Sequence, residues 1–175
     1  GYRAFALHAI NNPDIPLEVL LKSFDYEISL DPQKAQVLLG GVDVTGEIRT
    51  QEVASRVSEF AREPRVRTLQ HQDARSRVAL CGLDGIVSEG RDLTTVVFVD
   101  AGVRILLTAS EEVRLQRRSA EKTESTENLK ARDASDSKVV EFMAPAEGVK
   151  LIDTSHLSFQ ESVEAVIAEI ERSRA

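Results

Sequence analysis

The stretch that decides the fold is residues 85–100, GIVSEGRDLTTVVFVD, in which a short apolar run ends at Gly90-Arg91-Asp92 and a second apolar run follows. This pattern predicts a buried strand from Ile86 to Glu89 that delivers charged side chains to a point just past its carboxyl end, where open α/β sheets bind ligands. Gly90 would allow a sharp turn or the close approach of a ligand. Arg91 offers donors suited to carboxylate or phosphate, and Asp92 offers only acceptors, although the two could equally form an ion pair at the strand end.

Two kinds of sheet are predicted around this stretch. Apolar and polar side chains alternate from Phe24 to Leu30, and Ala35–Leu39 returns after a turn, which predicts an antiparallel hairpin. Val103–Thr108 is a nearly continuous apolar run, typical of a strand covered on both faces, and Val149–Asp153 is a last short strand. Because strands alternate with helical segments, we expect an α/β fold with a mostly parallel sheet flanked by helices and an inserted β lobe.

Helix signals lie on both sides of the opening stretch. Helices are predicted at Tyr2–Ile10, from Pro64 towards Gly82 and from Ser110. Two more have an apolar stripe. One follows a cap at Thr50 and has the stripe Val53, Val57 and Phe60; the other follows Ser158 and has the stripe Phe159, Val163, Val166, Ile167 and Ile170. Ser158 and Glu161 have the spacing of a capping box.

Composition limits the classes of function. The 175 residues suffice for one domain with a sizeable core, and a net charge of −7 argues against a nucleic-acid backbone as partner. Arginines nevertheless cluster, which suits a small anionic ligand, although most of them could simply cover solvated helix faces. A single cysteine, Cys81, allows no intramolecular disulfide and fits the reducing cytoplasm, and no apolar run reaches the length of a membrane span. The three histidines show no metal-ligand spacing.

The segment from Arg114 to Asp136 is highly charged and nearly free of large apolar residues. It could be a surface loop or a frayed pair of helices. It could also be a lid that brings arginines over a ligand and excludes water.

Several segments together resemble one family. They are Tyr2-Arg3-Ala4, GEIRTQEV at 46–53, PRVR at 64–67, residues 85–100, RDASDS at 132–137 and IDTS at 152–155. They occur in the order found in the bacterial cytidylate kinases, and the resemblance covers essentially the whole chain.

This resemblance implies a P-loop-kinase-like parallel sheet, an inserted monophosphate-binding lobe at about residues 24–62 and a lid at about residues 114–138. It implies ATP-dependent phosphorylation of CMP or dCMP with magnesium by a cytoplasmic monomer that binds neither nucleic acid nor membrane. Carried over residue by residue, the acceptor site would comprise Arg3, Ser58, Arg67, Arg91, Asp92, Arg132 and Asp136. Asp92 would contact cytosine and sugar, and Arg3, Arg67 and Arg91 would hold phosphate. Arg91, Arg132 and Asp136 would be the catalytic group, the last two completing the pocket when the lid closes.

The chain also departs from the family pattern. No G-x-x-x-x-G-K-[ST] motif, the backbone cradle for donor phosphates, occurs in the 175 residues. We therefore expect an N-terminally truncated kinase domain that does not bind ATP productively as given. The alternative is a catalytically inactive relative that acts as a nucleotide-binding or partner-binding module. Thr94 stands where the family has glycine, and Val139 stands where it has arginine. The usual glutamine-arginine pair is Gln72-Asp73 in this chain.

Overall fold

The computed structural model describes residues 1–121 and 145–174, and these residues form a mixed α/β fold. The chain divides into two compact units, Gly1–Ile86 and Val87–Ala175, which are treated separately below. None of the helices in these described ranges is long and apolar enough to cross a membrane.

The first unit contains four α-helices and a 3₁₀ turn. Its elements are α1 (Tyr2–Ile10), α2 (Leu17–Ser23), the 3₁₀ turn Glu47–Arg49, α3 (Gln51–Arg62) and α4 (Pro64–Leu80). The predicted start signals of α3 and α4 are confirmed. The Val53 amide donates to Thr50 Oγ1 at 3.4 Å, and Pro64 occupies the first turn of α4, where its missing N–H costs nothing.

A small antiparallel sheet completes the first unit. Strand β1 (Tyr26–Ile28) pairs with β2 (Val37–Leu39), which pairs with β3 (Val42–Asp43). Both predicted hairpin strands are present but shorter than the alternation suggested. Gly40 and Gly41, with φ of 54° and 78°, form the two-residue turn between β2 and β3. Positive φ at both turn residues matches the twist of the flanking strands and favours glycine.

The helices of the first unit share one hydrophobic core. Phe5, Val53 and Val66 are its largest fully buried side chains. The Phe5 ring meets Phe24 and Phe60 edge to face, with centroids 5.0 and 5.3 Å apart, a geometry that aromatic pairs prefer. The predicted stripe of α3 therefore faces the core.

A polar network fastens the hairpin to α4. The Tyr26 hydroxyl donates to Asp73 Oδ2 at 2.5 Å, and Arg77 Nε donates to the same oxygen at 2.8 Å. Arg77 Nη2 also donates to the Tyr26 carbonyl at 2.9 Å, and its guanidinium lies 4.6 Å from the Tyr26 ring centroid. Burial, followed by the hydrogen bond to Asp73, raises the pKa of Tyr26. Asp73, a departure from the family pattern, thus accepts from both Tyr26 of the hairpin and Arg77 of α4 and connects the two elements.

The second unit is built on two parallel strands. Strand β4 (Ile105–Thr108) pairs in parallel with β5 (Lys150–Asp153), with Leu106 opposite Leu151. Helix α5 (Glu111–Glu121) follows β4, and α6 (Phe159–Arg174) follows β5. The capping box before α6 is confirmed, because the Ser158 amide donates to Glu161 Oε2 at 2.7 Å and the Glu161 amide donates to Ser158 Oγ at 3.2 Å.

The strand expected at Ile86–Glu89 is not formed. Ile86–Glu89 is irregular rather than a strand, and Val87 is 89% exposed. A strand is stabilised by pairing, and no described strand lies alongside these residues to pair with them. Along the apolar stripe of α6, Phe159 and Ile167 are 84% and 47% exposed within the described ranges, and Val163, Val166 and Ile170 are half-buried. An apolar pattern predicts burial only where another element covers it.

Candidate functional site

The Gly90-Arg91-Asp92 segment leads into a π-helical turn at Leu93–Val97. The Asp92 carbonyl accepts from the amides of Val96 at 2.9 Å and Val97 at 3.2 Å. Asp92 precedes the turn, and its carboxylate makes no capping bond to it. The turn therefore presents the half-buried side chains of Arg91 and Asp92 from an ordered backbone.

Gly90 serves close packing within the chain. Its φ is not positive, and a Cβ added there would lie 3.0 Å from Cγ of Leu93. The backbone at Gly90 is therefore one that other residues could also adopt. The absence of a side chain at Gly90 instead makes room for Leu93 in the first position of the π turn.

One arginine joins this turn to a second chain segment. Arg104 Nη1 donates to the Thr94 carbonyl at 3.1 Å, and Nη2 donates to the Glu147 carbonyl at 3.0 Å. Gly148 follows with a φ of 73°, and a Cβ added there would lie 2.7 Å from Arg104 Nη2. Neither Arg104 nor Gly148 was found by reasoning from the sequence. The turn tendency of a glycine just before β5 is a signal that could have found Gly148, whereas no spacing pattern points to Arg104.

A second polar group lies at the carboxyl ends of β4 and β5, the edge at which open α/β sheets bind ligands. The Thr154 hydroxyl donates to the Thr108 carbonyl at 2.9 Å. Arg117 Nη1 donates to Thr154 Oγ1 at 3.0 Å, and Nη2 donates to the Thr154 and Leu157 carbonyls at 2.8 and 3.2 Å. These bonds fix the loop after β5 to α5.

Asp153 ends β5 as an acceptor held by its neighbour. The Ser155 hydroxyl donates to Asp153 Oδ1 at 2.5 Å, and the Ser155 amide donates to it at 2.8 Å. These two bonds lower the pKa of Asp153 below its ordinary value. The Ser110 amide donates in turn to Ser155 Oγ at 2.8 Å. The IDTS segment is thus ordered by its own side chains.

The first unit carries the other described candidates. Arg3 lies on α1, and its Nη1 donates to the Ile48 carbonyl at 3.1 Å in the GEIRT segment. Arg67 lies on α4, and its Nη1 donates to the Ala61 carbonyl at 3.4 Å in the last turn of α3. A cation is favourable at that end of a helix. Ser58 is half-buried on α3. The shared core of α1, α3 and α4 therefore places these three residues on one packed body.

The described residues of the predicted site thus belong to both units. Arg3, Ser58 and Arg67 belong to the first unit, and Arg91 and Asp92 belong to the second. Arg132 and Asp136 lie outside the described residues, as does most of the predicted lid.

A magnesium site would need a cluster of acidic or metal-ligating side chains, and a donor-phosphate cradle would need a glycine-rich lysine loop. Within residues 1–121 and 145–174, no group of three or more His, Cys, Asp or Glu side chains is placed to hold a metal ion. The 175 residues contain no G-x-x-x-x-G-K-[ST] motif. The described side chains therefore form neither a magnesium site nor a cradle for donor phosphates.

Comparison with known proteins gives one family. A family model described as cytidylate kinase matches residues 1–172. Similar proteins include the cytidylate kinases of Streptomyces avermitilis (41% identical, 83% of this chain), Cutibacterium acnes (38%, 89% of this chain) and Escherichia coli O1:K1 (34%, 95% of this chain). The chain spans 65%, 71% and 78% of the lengths of these three relatives, and 64% of that of Streptomyces griseus. The chain therefore spans slightly less than two thirds of the two Streptomyces relatives.

Proposed function

Because this chain belongs to the cytidylate kinase family, we propose that the protein is a nucleoside monophosphate kinase that transfers a phosphoryl group from ATP to CMP or dCMP. The relatives are named cytidylate kinases, and that name supplies the class of reaction. The observation that supports the acceptor side most directly is the Gly90-Arg91-Asp92 segment, where an arginine and an aspartate are held at the head of an ordered π turn.

The chemistry of the candidate residues suits an acceptor nucleotide. Phosphoryl transfer requires two anions to be brought into line, so the protein's contribution is chiefly positioning and neutralisation of charge. Arg91, Arg67 and Arg3 supply planar forks of donors that match phosphate oxygens. Asp92 supplies only acceptors, which suits the exocyclic amine of cytosine or a sugar hydroxyl. The acceptor phosphate is itself the nucleophile, so the site requires no strong general base.

We propose the remaining assignments on the same basis. Residues 24–62 would be the monophosphate-binding lobe, which is consistent with a hairpin followed by α3 in that range. Residues 114–138 would be the lid, and Arg132 and Asp136 would act with Arg91 at the transferring group. Magnesium would enter with the donor nucleotide, because this ion is commonly held largely by substrate phosphates. The proposed protein is a cytoplasmic monomer whose partners are small nucleotides, in keeping with its net charge of −7 and single cysteine.

Titration calorimetry of the 175-residue chain with CMP tests the acceptor assignment. We expect Arg91→Ala to weaken CMP binding at least about tenfold, because a charge-assisted hydrogen bond to phosphate is lost. Binding of cytidine, which has no phosphate, should change much less. Arg172→Ala is the matched control, because Arg172 is an exposed arginine of α6 that pairs with Glu169. Equal loss of CMP binding in both variants would remove Arg91 from the site.

Transfer requires a separate assay. The protein is incubated with ATP, Mg²⁺ and CMP, and CDP is measured. CDP formation that is lost in Arg91→Ala supports the kinase assignment. Binding of CMP without CDP formation is the result expected of these 175 residues, which contain no G-x-x-x-x-G-K-[ST] motif, and it would make the chain as given an acceptor-binding module.

A further inference from the structure

The guanidinium of Arg104 holds two distant segments of the second unit. It donates to the Thr94 carbonyl in the π turn and to the Glu147 carbonyl in the segment before β5. The backbone of Arg104 is fixed as well, because its own carbonyl accepts from the Lys150 amide at 2.9 Å. An anchored backbone and two bonds to carbonyls give this side chain a defined place.

The Thr94 carbonyl lies where a helical turn leaves acceptors without internal partners. Within the π turn, the Val97 amide donates to the Asp92 carbonyl at 3.2 Å, and the Phe98 amide donates to the Leu93 carbonyl at 2.7 Å. Thr94 carries the next carbonyl along the chain. The last carbonyls of a helix need an outside donor, and a cation there also complements the helix dipole. Arg104 supplies both the donor and the charge.

Gly148 provides an independent observation on the same contact. Its φ of 73° lies in the left-handed region, and a Cβ there would lie 2.7 Å from Arg104 Nη2. That distance is too short for a real contact, so a side chain at position 148 would displace the guanidinium. An L-residue at position 148 would therefore be strained by its φ and would also displace the Arg104 guanidinium.

We propose that Arg104 is a positioning residue for the acceptor site. By capping the π turn that Asp92 begins, it fixes the backbone from which Arg91 and Asp92 reach the acceptor nucleotide. It touches no substrate and acts through these two residues. This inference rests on the proposed function, since it specifies how the acceptor side of that site is held in shape.

Four variants of the full chain test the proposal. Arg104→Gln and Gly148→Ala both disturb the cap, by removing the charge and by displacing the guanidinium. Arg104→Lys keeps a cation but cannot hold two carbonyls in a planar fork, so it should fall between wild type and Arg104→Gln. Arg172→Gln is the control, because Arg172 is an exposed arginine of α6 that pairs with Glu169.

Two readouts are needed. Amide hydrogen exchange at Val97 and Phe98 reports the π turn, and exchange at the β4 and β5 amides reports the rest of the unit. Calorimetry with CMP reports the acceptor site. In Arg104→Gln and Gly148→Ala we expect exchange at Val97 and Phe98 to accelerate about tenfold or more and CMP affinity to fall about tenfold, because a charged hydrogen bond is lost. In Arg104→Gln, exchange at the β4 and β5 amides should stay at wild-type rates.

Three results would overturn the proposal. Wild-type exchange at Val97 and Phe98 in Arg104→Gln would show that Arg104 does not cap the turn. Faster exchange there with unchanged CMP affinity would show that the turn does not position the acceptor. Equal acceleration at the strand amides would show a general structural role. If the wild-type chain does not bind CMP, the proposed function fails and the positioning role falls with it, and the exchange data still decide the cap.

Discussion

Replacing Asp73 with alanine tests the network that ties the hairpin to α4. Asp73 Oδ2 accepts from the Tyr26 hydroxyl at 2.5 Å and from Arg77 Nε at 2.8 Å, and the side chains of Asp73 and Arg77 are 25% and 26% exposed. The substitution removes both bonds and leaves the Tyr26 hydroxyl without this acceptor. Because Tyr26 and Asp73 are 47 residues apart in the chain, the loss falls on tertiary structure rather than on one helix.

The magnitude follows from the geometry. A hydrogen bond to a charged group contributes about 1.5–3 kcal/mol when well shielded, and partial exposure reduces the contribution of each bond to about 1–1.5 kcal/mol. Asp73→Ala should therefore lower the free energy of unfolding of the first unit by about 2–3 kcal/mol. Tyr26→Phe removes one bond and leaves the Asp73–Arg77 pair intact, so it should cost about 1 kcal/mol.

The chain offers a probe that reports the first unit alone. It contains no tryptophan and two tyrosines, Tyr2 and Tyr26, both of which lie in the first unit. Urea unfolding followed by tyrosine fluorescence therefore measures that unit, and Tyr2 remains as the probe in Tyr26→Phe. Asp84→Ala, a change at an exposed aspartate of the same unit, is the control. If Asp73→Ala unfolds within about 0.5 kcal/mol of wild type, as ordinary surface changes do, the network does not hold the hairpin.

Two further predictions concern one helix and one histidine. Ser158→Ala removes the capping-box hydroxyl and should destabilise α6 by about 1 kcal/mol, seen as reduced ellipticity at 222 nm on mild heating; Ser162→Ala, one turn later, is the comparison, and equal losses would contradict a special role for the cap. Burial beside Phe5 and Phe24 lowers the pKa of His8, so the folded state favours the neutral ring and its stability should fall as the pH drops below about 6.5. Urea unfolding at pH 7 and pH 5 should show this loss in wild type and a smaller one in His8→Gln; an identical loss in both would assign the pH dependence to other groups.

Local signals in the sequence predicted the helices well. Thr50, Pro64 and the Ser158–Glu161 pair each act within one turn of the chain, so their effect can be read from neighbouring residues. The hairpin was predicted for the same reason, since alternation and a glycine pair are local. The order of helices and strands then followed from where the helical spacing of apolar residues changes to the alternation of a strand.

The expectations that failed depend on residues far apart in the chain. Ile86–Glu89 has the composition of a strand, yet a strand forms only against a partner, and its described surroundings offer none. The second apolar run forms a π turn. The Thr94 carbonyl of this turn accepts from Arg104, which lies ten residues further along the chain. The Tyr26–Asp73 bond spans a still larger separation. Spacing patterns do not encode such contacts, which is why Arg104 and Gly148 were missed. The roles of Arg3, Ser58, Arg67, Arg91, Asp92, Arg132 and Asp136 remain predictions.

The turn at Gly40 and Gly41 makes handedness itself the constraint on this part of the chain. No atom outside the immediate neighbours lies within 4 Å of a Cβ built on either glycine, so there is ample room for a side chain. The obstacle is the sign of φ, which costs an L-residue about 1–2 kcal/mol. A D-alanine at position 40 or 41 would avoid that cost and would also restrict the unfolded chain. The hairpin thus excludes L-alanine and accepts its mirror image, a distinction that volume and polarity do not make.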